Sequence, residues 1–271
     1  MASRPAAAGD DIVRIAARAH ERDRYLAALL APKAARSDLI ALAAFAGEIG
    51  RIPAFVTEPM MGRIRLQWWR ERLESGTSGG HPVADAILAT MARHKLSVEQ
   101  LMPPIEAHED SLTTRPFADD AALLHYLDRI DGTLFDIAAR VVRARIDQSF
   151  IENAARAYGF SRLLLEVPAT RAHGRLLVPV SRLADQPLID EQQLRIAAAD
   201  LATLARAHLQ ACVDALQQLP RSSRAPFLPL ALVHPHLQLN TSAQRSTAAA
   251  LEVNPLRRVW RLLHCSWTGR L

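Results

Sequence analysis

Apolar residues recur every three or four positions along this chain from about Asp11 onward, and they nowhere alternate over a run long enough to build a sheet. The clearest stripe is Ala202, Ala205, Leu209, Val213 and Leu216, in a helix predicted over residues 190–217. A second helix, over 119–143, carries Tyr126, Leu127, Ile130, Leu134, Phe135, Ile137 and Ala138. Alanine, leucine and arginine dominate and aromatics make up only 5%, a composition of packed helices. The expectation is an all-α chain with one domain over 11–268, behind a disordered leader at 1–10.

Local signals divide the chain further. On the first helix Ile12, Ile15, Ala16 and His20 are expected to share a face. Ser37-Asp38 reads as an N-cap for a helix through Leu42 and Phe45 that stops before Pro53. Thr57 is a candidate cap for the next helix, with Pro59 suited to its first turn. There, Met61, Ile64 and Trp68 form one apolar row and Leu66, Trp69 and Leu73 another beside it, opposite Arg63, Gln67, Arg70 and Glu74. Ser75 to Gly80 is the strongest breaker. Helices are expected over 82–94, 97–112 and 147–166, then a loop over 167–179, and Asn254-Pro255 opens a final helix.

Charge and cysteine usage remove several function classes. The net charge of +5 comes from arginines dispersed among nearly as many acids, with no nucleic-acid recognition motif, so no nucleic-acid partner is expected. Cys212 and Cys265 stand far apart with no second pair near either, which offers no disulfide framework or CxxC metal knot and suits a reducing compartment. There is no long apolar run, and the opening residues carry acids early, so neither a spanning helix nor a signal peptide is expected. The expected location is the cytoplasm, or the periphery of the inner membrane.

Several short segments follow one another in a telling order: Asp23-Arg24-Tyr25-Leu26, Ala31-Pro32, Leu42-Ala43-Ala44-Phe45, Leu66-Gln67-Trp68-Trp69-Arg70, and Gly174-Arg175-Leu176-Leu177-Val178-Pro179. In order and spacing this resembles the squalene/phytoene synthase family, which implies an isoprenoid-synthase-type helical barrel or bundle. Active members condense prenyl diphosphates using magnesium held by two aspartate-rich motifs. A first motif resembling AFxRxxDDxxD would put its aspartates on Gly50, Arg51 and Ala54; a second resembling RDxxxDxxxGR would put them on Glu166 and Thr170. Only Glu166 keeps a carboxylate. Magnesium requires near-octahedral oxygen ligands, so the resemblance implies no catalytic residue at these degenerate positions. It implies no cofactor either, unless a synthase reading with an atypical magnesium site holds, for which Glu48 and Glu166 are the only candidates.

The segments Ala44-Phe45-Ala46-Gly47-Glu48-Ile49-Gly50-Arg51-Ile52 and Thr57 through Trp69 resemble still more closely a divergent branch of that family. This branch is the mitochondrial complex I assembly factor with a squalene/phytoene synthase-like domain, and its bacterial relatives. Arg93-His94-Lys95-Leu96 and Pro168-Ala169-Thr170 share in the likeness. It implies a respiratory-complex assembly client as partner.

Binding candidates are each open to a plainer reading. Arg63, Arg65, Arg70 and Arg72 could bind a diphosphate, since guanidinium forks match phosphate oxygens, or could form a solvated face paired with Glu71 and Glu74; Arg65 and Arg72, beside the tryptophans, are the candidates retained. Trp68 and Trp69 could line a prenyl cavity or pack in the core. Glu48 and Glu166 could share a weak metal site or be satisfied by Arg51 and Arg162. Arg171, His173 and Arg175 sit where the resemblance implies contact with substrate phosphates, and Tyr25 lies in a matching segment. His234 and His236 have chelate spacing but no further ligands nearby. The tail from Leu256 to Trp267 mixes arginines, leucines and tryptophans and reads either as a docked terminal helix or as a peripheral membrane contact.

Two functions follow. The first is a non-catalytic binding or complex I assembly-type factor. The second is a prenyl diphosphate transferase of the head-to-head type. An isoprenoid or prenyl diphosphate ligand is compatible with either.

Overall fold

In a computed structural model, residues 4–56, 58–113, 116–172, 176–183, 191–243 and 253–271 are described. Helices account for nearly all of the regular structure, and no strand occurs among the described residues. The chain forms two compact units, one of Met1–Thr113, Thr133–Ile146 and Pro220–Pro226, the other of Thr114–Gly132, Asp147–Leu219 and Phe227–Leu271.

The first unit is built around α3 (Lys33–Gly50), on which every residue from Asp38 to Gly47 is buried. A helix apolar on all sides must be surrounded. Its neighbours are α1 (Arg4–His20), α2 (Arg22–Leu29), α6 (Pro82–His94), α7 (Met102–Asp110) and α9 (Thr133–Val141). Ala41, Ala43, Ala44, Ala46 and Gly47 keep α3 slim enough for this. A short α4 (Ile52–Phe55) leads to α5 (Pro59–Ser75), which packs on α7, and Gly76 ends α5 in the left-handed conformation at φ 62°.

Two expectations about helix faces change. On α1, Val13, Ala16 and Ala17 are buried while Ile15 is 65% exposed, and Ile12 and His20 are exposed too. Close approach to α3 at Gly47 selects the small-residue face of α1 over the larger apolar one. On α5, Leu66, Trp69 and Leu73 form the core row, whereas Met61 and Ile64 are exposed and Trp68 is half-buried. Both rows have helical spacing, and the elements packed against α5 (α4, α6 and α7, with Phe45 of α3 against Trp69) decide between them.

α3 also starts earlier than its expected cap. Its N-cap is Pro32, so Ser37 and Asp38 lie inside the helix. Asp38 is buried, accepting hydrogen bonds from His94 Nε2 at 2.7 Å, from Thr90 Oγ1 at 3.3 Å and from Arg93 Nη1. The Arg93-His94 pair thus ties the end of α6 to the middle of the unit. Thr57 lies outside the described residues, and Glu58 occupies the N-cap position of α5, with Pro59 in its first turn as expected.

The second unit comprises α8 (Asp120–Leu127), a π turn at Asp128–Gly132, α10 (Gln148–Ala172), α11 (Glu191–Gln218), α12 (Val233–Ala243) and α13 (Pro255–Thr268). The single helix expected over 119–143 is interrupted by the π turn, and α10 runs through the loop expected from 167. The stripe of α11 is buried at Ala202, Ala205, Leu209 and Leu216, with Cys212 among them. Gly159 of α10 lets the π turn approach: a Cβ there would stand 2.8 Å from Leu127 Cδ2 and 2.9 Å from Asp131 Oδ2. Arg156 on α10 holds Asp128 bidentately at 3.1 and 2.8 Å.

Both cysteines are buried free thiols, and burial pushes Cys212 up to about 12. Ellman's reagent at pH 8 is therefore expected to label neither in the native protein and both in denaturant; rapid native labelling would show that α11 or α13 opens locally.

Candidate functional site

The C-terminal end of α3 and the middle of α5 enclose an open cleft of about 720 Å³, lined in part by Glu48, Arg51, Ile64, Arg65, Trp68 and Trp69. Its aromatic wall is built outward from the core. Trp69 is buried and meets Phe45 of α3 edge-on, with centroids 5.4 Å apart and planes at 77°. Trp68 stands nearly perpendicular to Trp69 at 5.1 Å. His81, which also lines the cleft, packs 5.1 Å from Trp68 and 5.3 Å from Trp69. Its Nδ1 accepts from the Ala84 amide at 3.3 Å as the N-cap of α6, so in the neutral ring the proton sits on Nε2.

The polar wall is small. Arg51 donates to Glu48 Oε2 from Nη2 at 2.7 Å and from Nε at 3.1 Å. Arg65 is exposed on the cleft wall and has no ion-pair partner among the described residues. Glu48, Arg51 and Arg65 together leave one net positive charge beside Ile52, Ile64 and Trp68. This suits an anion with an apolar body: a guanidinium for the anionic group, an aliphatic and indole surface for the rest.

Magnesium does not fit this donor set. Among the described residues Glu48 is the cleft's one carboxylate, and Arg51 holds it. Gly50, another degenerate position, faces His108: an added Cβ would lie 3.7 Å from its Nε2. Ala54 lies in α4. Among the described residues no group of three or more His, Cys, Asp or Glu is arranged to hold a metal ion.

The remaining candidates are spread more widely. Arg72 lies 5.2 Å from the centroid of the Trp68 ring and donates to the Thr77 carbonyl at 3.1 Å, clamping the Ser75–Gly80 loop to α5. Arg70 pairs with Glu109 on α7 at 2.9 Å. Tyr25 is half-buried on α2 and is not part of the cleft wall. In the second unit, Arg162 lies over Tyr158 at 5.6 Å and 4.0 Å from Asp131 Oδ1, while Glu166 is exposed. Thr170 turns its hydroxyl back to the Glu166 carbonyl at 3.0 Å, which commits it to the helix backbone. His173 and Arg175 lie outside the described residues, as does the side chain of Arg171. His234 and His236 diverge: His236 is buried, 3.2 Å from Ser161 Oγ, while His234 is exposed.

Sequence reasoning did not find His81 or the Asp38 cluster. His81 stands next to Pro82 after a glycine-rich loop, and nothing local shows that the loop returns it to the tryptophans. A buried aspartate with an Arg-His pair 55 and 56 positions away has no local signature either.

The sequence model of the squalene/phytoene synthase family matches residues 17–261. The chain belongs to the squalene/phytoene synthase family. Among its relatives within reach of direct comparison is NADH dehydrogenase (ubiquinone) complex I, assembly factor 6, of Bos taurus, 23% identical over 236 residues that cover 82% of this chain and 70% of that protein. The Homo sapiens protein of the same name is 26% identical over 128 residues, covering 46% of this chain and 38% of that one. A squalene synthase from Alicyclobacillus acidocaldarius has a TM-score of 0.72 at 16% identity, over 88% of this chain and 94% of its own. A dehydrosqualene synthase solved with a ligand has a TM-score of 0.77 at 13% identity, over 97% and 96%. These structures establish an isoprenoid-synthase-type helical fold for this family member.

Proposed function

We propose that this chain is a non-catalytic member of the squalene/phytoene synthase family that works as a binding or respiratory complex I assembly-type factor. The observation that carries this reading is the Arg51–Glu48 pair: a guanidinium stands where the family resemblance places a metal-binding aspartate, and it holds, at 2.7 Å, the cleft's one carboxylate among the described residues. Ionising an allylic diphosphate needs the leaving group's charge stabilised by metal or by several cations, and losing one such stabiliser costs about a hundredfold or more in rate. The relatives named complex I assembly factor 6 support an assembly role. In that role the chain acts in the cytoplasm or at the periphery of the inner membrane, on a respiratory-complex client.

Deleting the gene in a respiring host tests this. The expected result is less assembled complex I on native gels, restored by the wild-type gene and also by an Arg51→Lys variant; normal assembly in the deletion strain would overturn the reading.

The cleft itself is proposed to hold an isoprenoid or prenyl diphosphate without turning it over. In calorimetry with farnesyl diphosphate, Arg65→Ala and Trp68→Ala are each expected to weaken binding about tenfold, one losing the anion's partner and the other an apolar face. No pyrophosphate is expected to be released with or without magnesium. Magnesium-dependent release would restore the transferase reading and make Glu48 and Glu166 the residues to mutate.

A further inference from the structure

The final helix, α13, is anchored firmly yet leaves its most apolar face uncovered. Asn254 caps it by accepting from the Leu256 amide at 2.9 Å and the Arg257 amide at 3.4 Å, and Gly269 closes it with φ 71°. Arg258, Leu262, Cys265 and Ser266 are buried. At about 100° per residue, Leu256, Val259, Trp260, Leu263 and Trp267 share a sector roughly 100° wide beside that buried face. Leu256 is 82% exposed, Trp260 68% and Trp267 69%. Arg257, Arg261 and His264 fill the next sector.

Charge selects what covers this stripe. From Val253 to Leu271 the chain contains no aspartate or glutamate. Arg257 is exposed, donates to the neutral Gln238 Oε1 at 2.7 Å and has no ion-pair partner among the described residues, whereas the half-buried Arg261 turns inward to the Ala231 carbonyl at 2.9 Å. A second copy packing the same face would set arginine against arginine, since a two-fold contact pairs a patch with itself. A bilayer surface with anionic headgroups satisfies both sectors at once. Indoles lie well at the boundary between headgroups and acyl chains, the leucines reach just below it, and the exposed Arg257 guanidinium meets lipid phosphates. No helix among the described residues is long and apolar enough to cross a membrane, so the contact is in-plane.

We infer that α13 docks this protein on an anionic lipid surface through Leu256, Trp260 and Trp267, with Arg257 on the phosphates. This inference stands on α13 alone and does not depend on the role proposed for the cleft. The test is co-sedimentation of the full chain with phosphatidylcholine vesicles, with and without about one-third phosphatidylglycerol. The expected result is pelleting only with the anionic vesicles, weakened by salt and reduced about tenfold in a Trp260→Ser/Trp267→Ser variant. Arg257→Glu should weaken it independently. Both variants change exposed positions, and unchanged circular dichroism and melting will show that they fold. No pelleting with anionic vesicles, or equal pelleting of the tryptophan variant, overturns the inference. So does a dimer in sedimentation equilibrium that the tryptophan variant dissociates, which would assign the stripe to a second copy.

Discussion

Replacing Asp38 by alanine is expected to lower the unfolding free energy by about 3 kcal/mol, which would appear as a lower urea midpoint at unchanged slope. Asp38 sits within the buried stretch of α3 and accepts from Thr90, Arg93 and His94 on α6. Its three donors do not suffer equally. Thr90 keeps a bond to the Ala86 carbonyl at 2.9 Å, and Arg93, 54% exposed, can turn to water. The half-buried His94 loses the 2.7 Å partner that fixes it. Alanine recovers about half a kcal/mol of helix propensity, too little to offset the loss. Asp38→Asn keeps the shape and one acceptor and should cost about half as much. A change within about 0.5 kcal/mol for Asp38→Ala would mean that α3 and α6 are held by apolar packing alone.

Gly47→Ala is expected to destabilise despite improving the helix. An interior Gly-to-Ala change gains about 1 kcal/mol in propensity, but here the new Cβ would stand 2.6 Å from His20 Cβ. That neighbour is bonded directly to the α1 backbone, so the helices must separate, at a typical overpacking cost of about 1–3 kcal/mol. The net expectation is a loss of up to about 2 kcal/mol, rising to about 3 for Gly47→Val, which adds a branched side chain to the same clash. Gly9→Ala is the control: nothing lies within 4 Å of its added Cβ, and it should stabilise by up to about 1 kcal/mol. Thermal unfolding of the three variants checks the opposite signs. Because Glu48 follows Gly47 directly, the α1–α3 contact also sets the position of the Arg51–Glu48 pair, so Gly47→Ala should weaken ligand binding in the cleft as well.

Much of the candidate cleft was legible in the sequence, for a physical reason. Glu48, Arg51, Arg65, Trp68 and Trp69 lie on α5 and at the end of α3, which are joined by the short α4, and nearby segments of a helical chain are brought together by local geometry. The loss of carboxylates at Gly50, Arg51 and Ala54 could be read directly because ligand chemistry belongs to residue type. What could not be read was the direction each side chain takes once a neighbouring helix arrives. Arg72 is turned onto Trp68 and the Thr77 carbonyl, and His81 joins the indoles from beyond a loop.

By itself the sequence determined the helical class, Pro59 in the first turn of α5, the cap at Asn254, the break at Ser75–Gly80 and the family. Each of these rests on residue chemistry within a turn or two of its own position, or on the order of such segments along the chain. Only the tertiary structure decided which of two equally spaced rows is core. It buried Val13 and Ala17 and left Ile12 and Ile15 exposed, chose Leu66, Trp69 and Leu73 over Met61 and Ile64, and turned Asp38 from an expected cap into the buried acceptor for α6. Helical periodicity fixes the angle between side chains but not the direction from which a partner comes, and that direction is set by contacts between residues far apart in the chain.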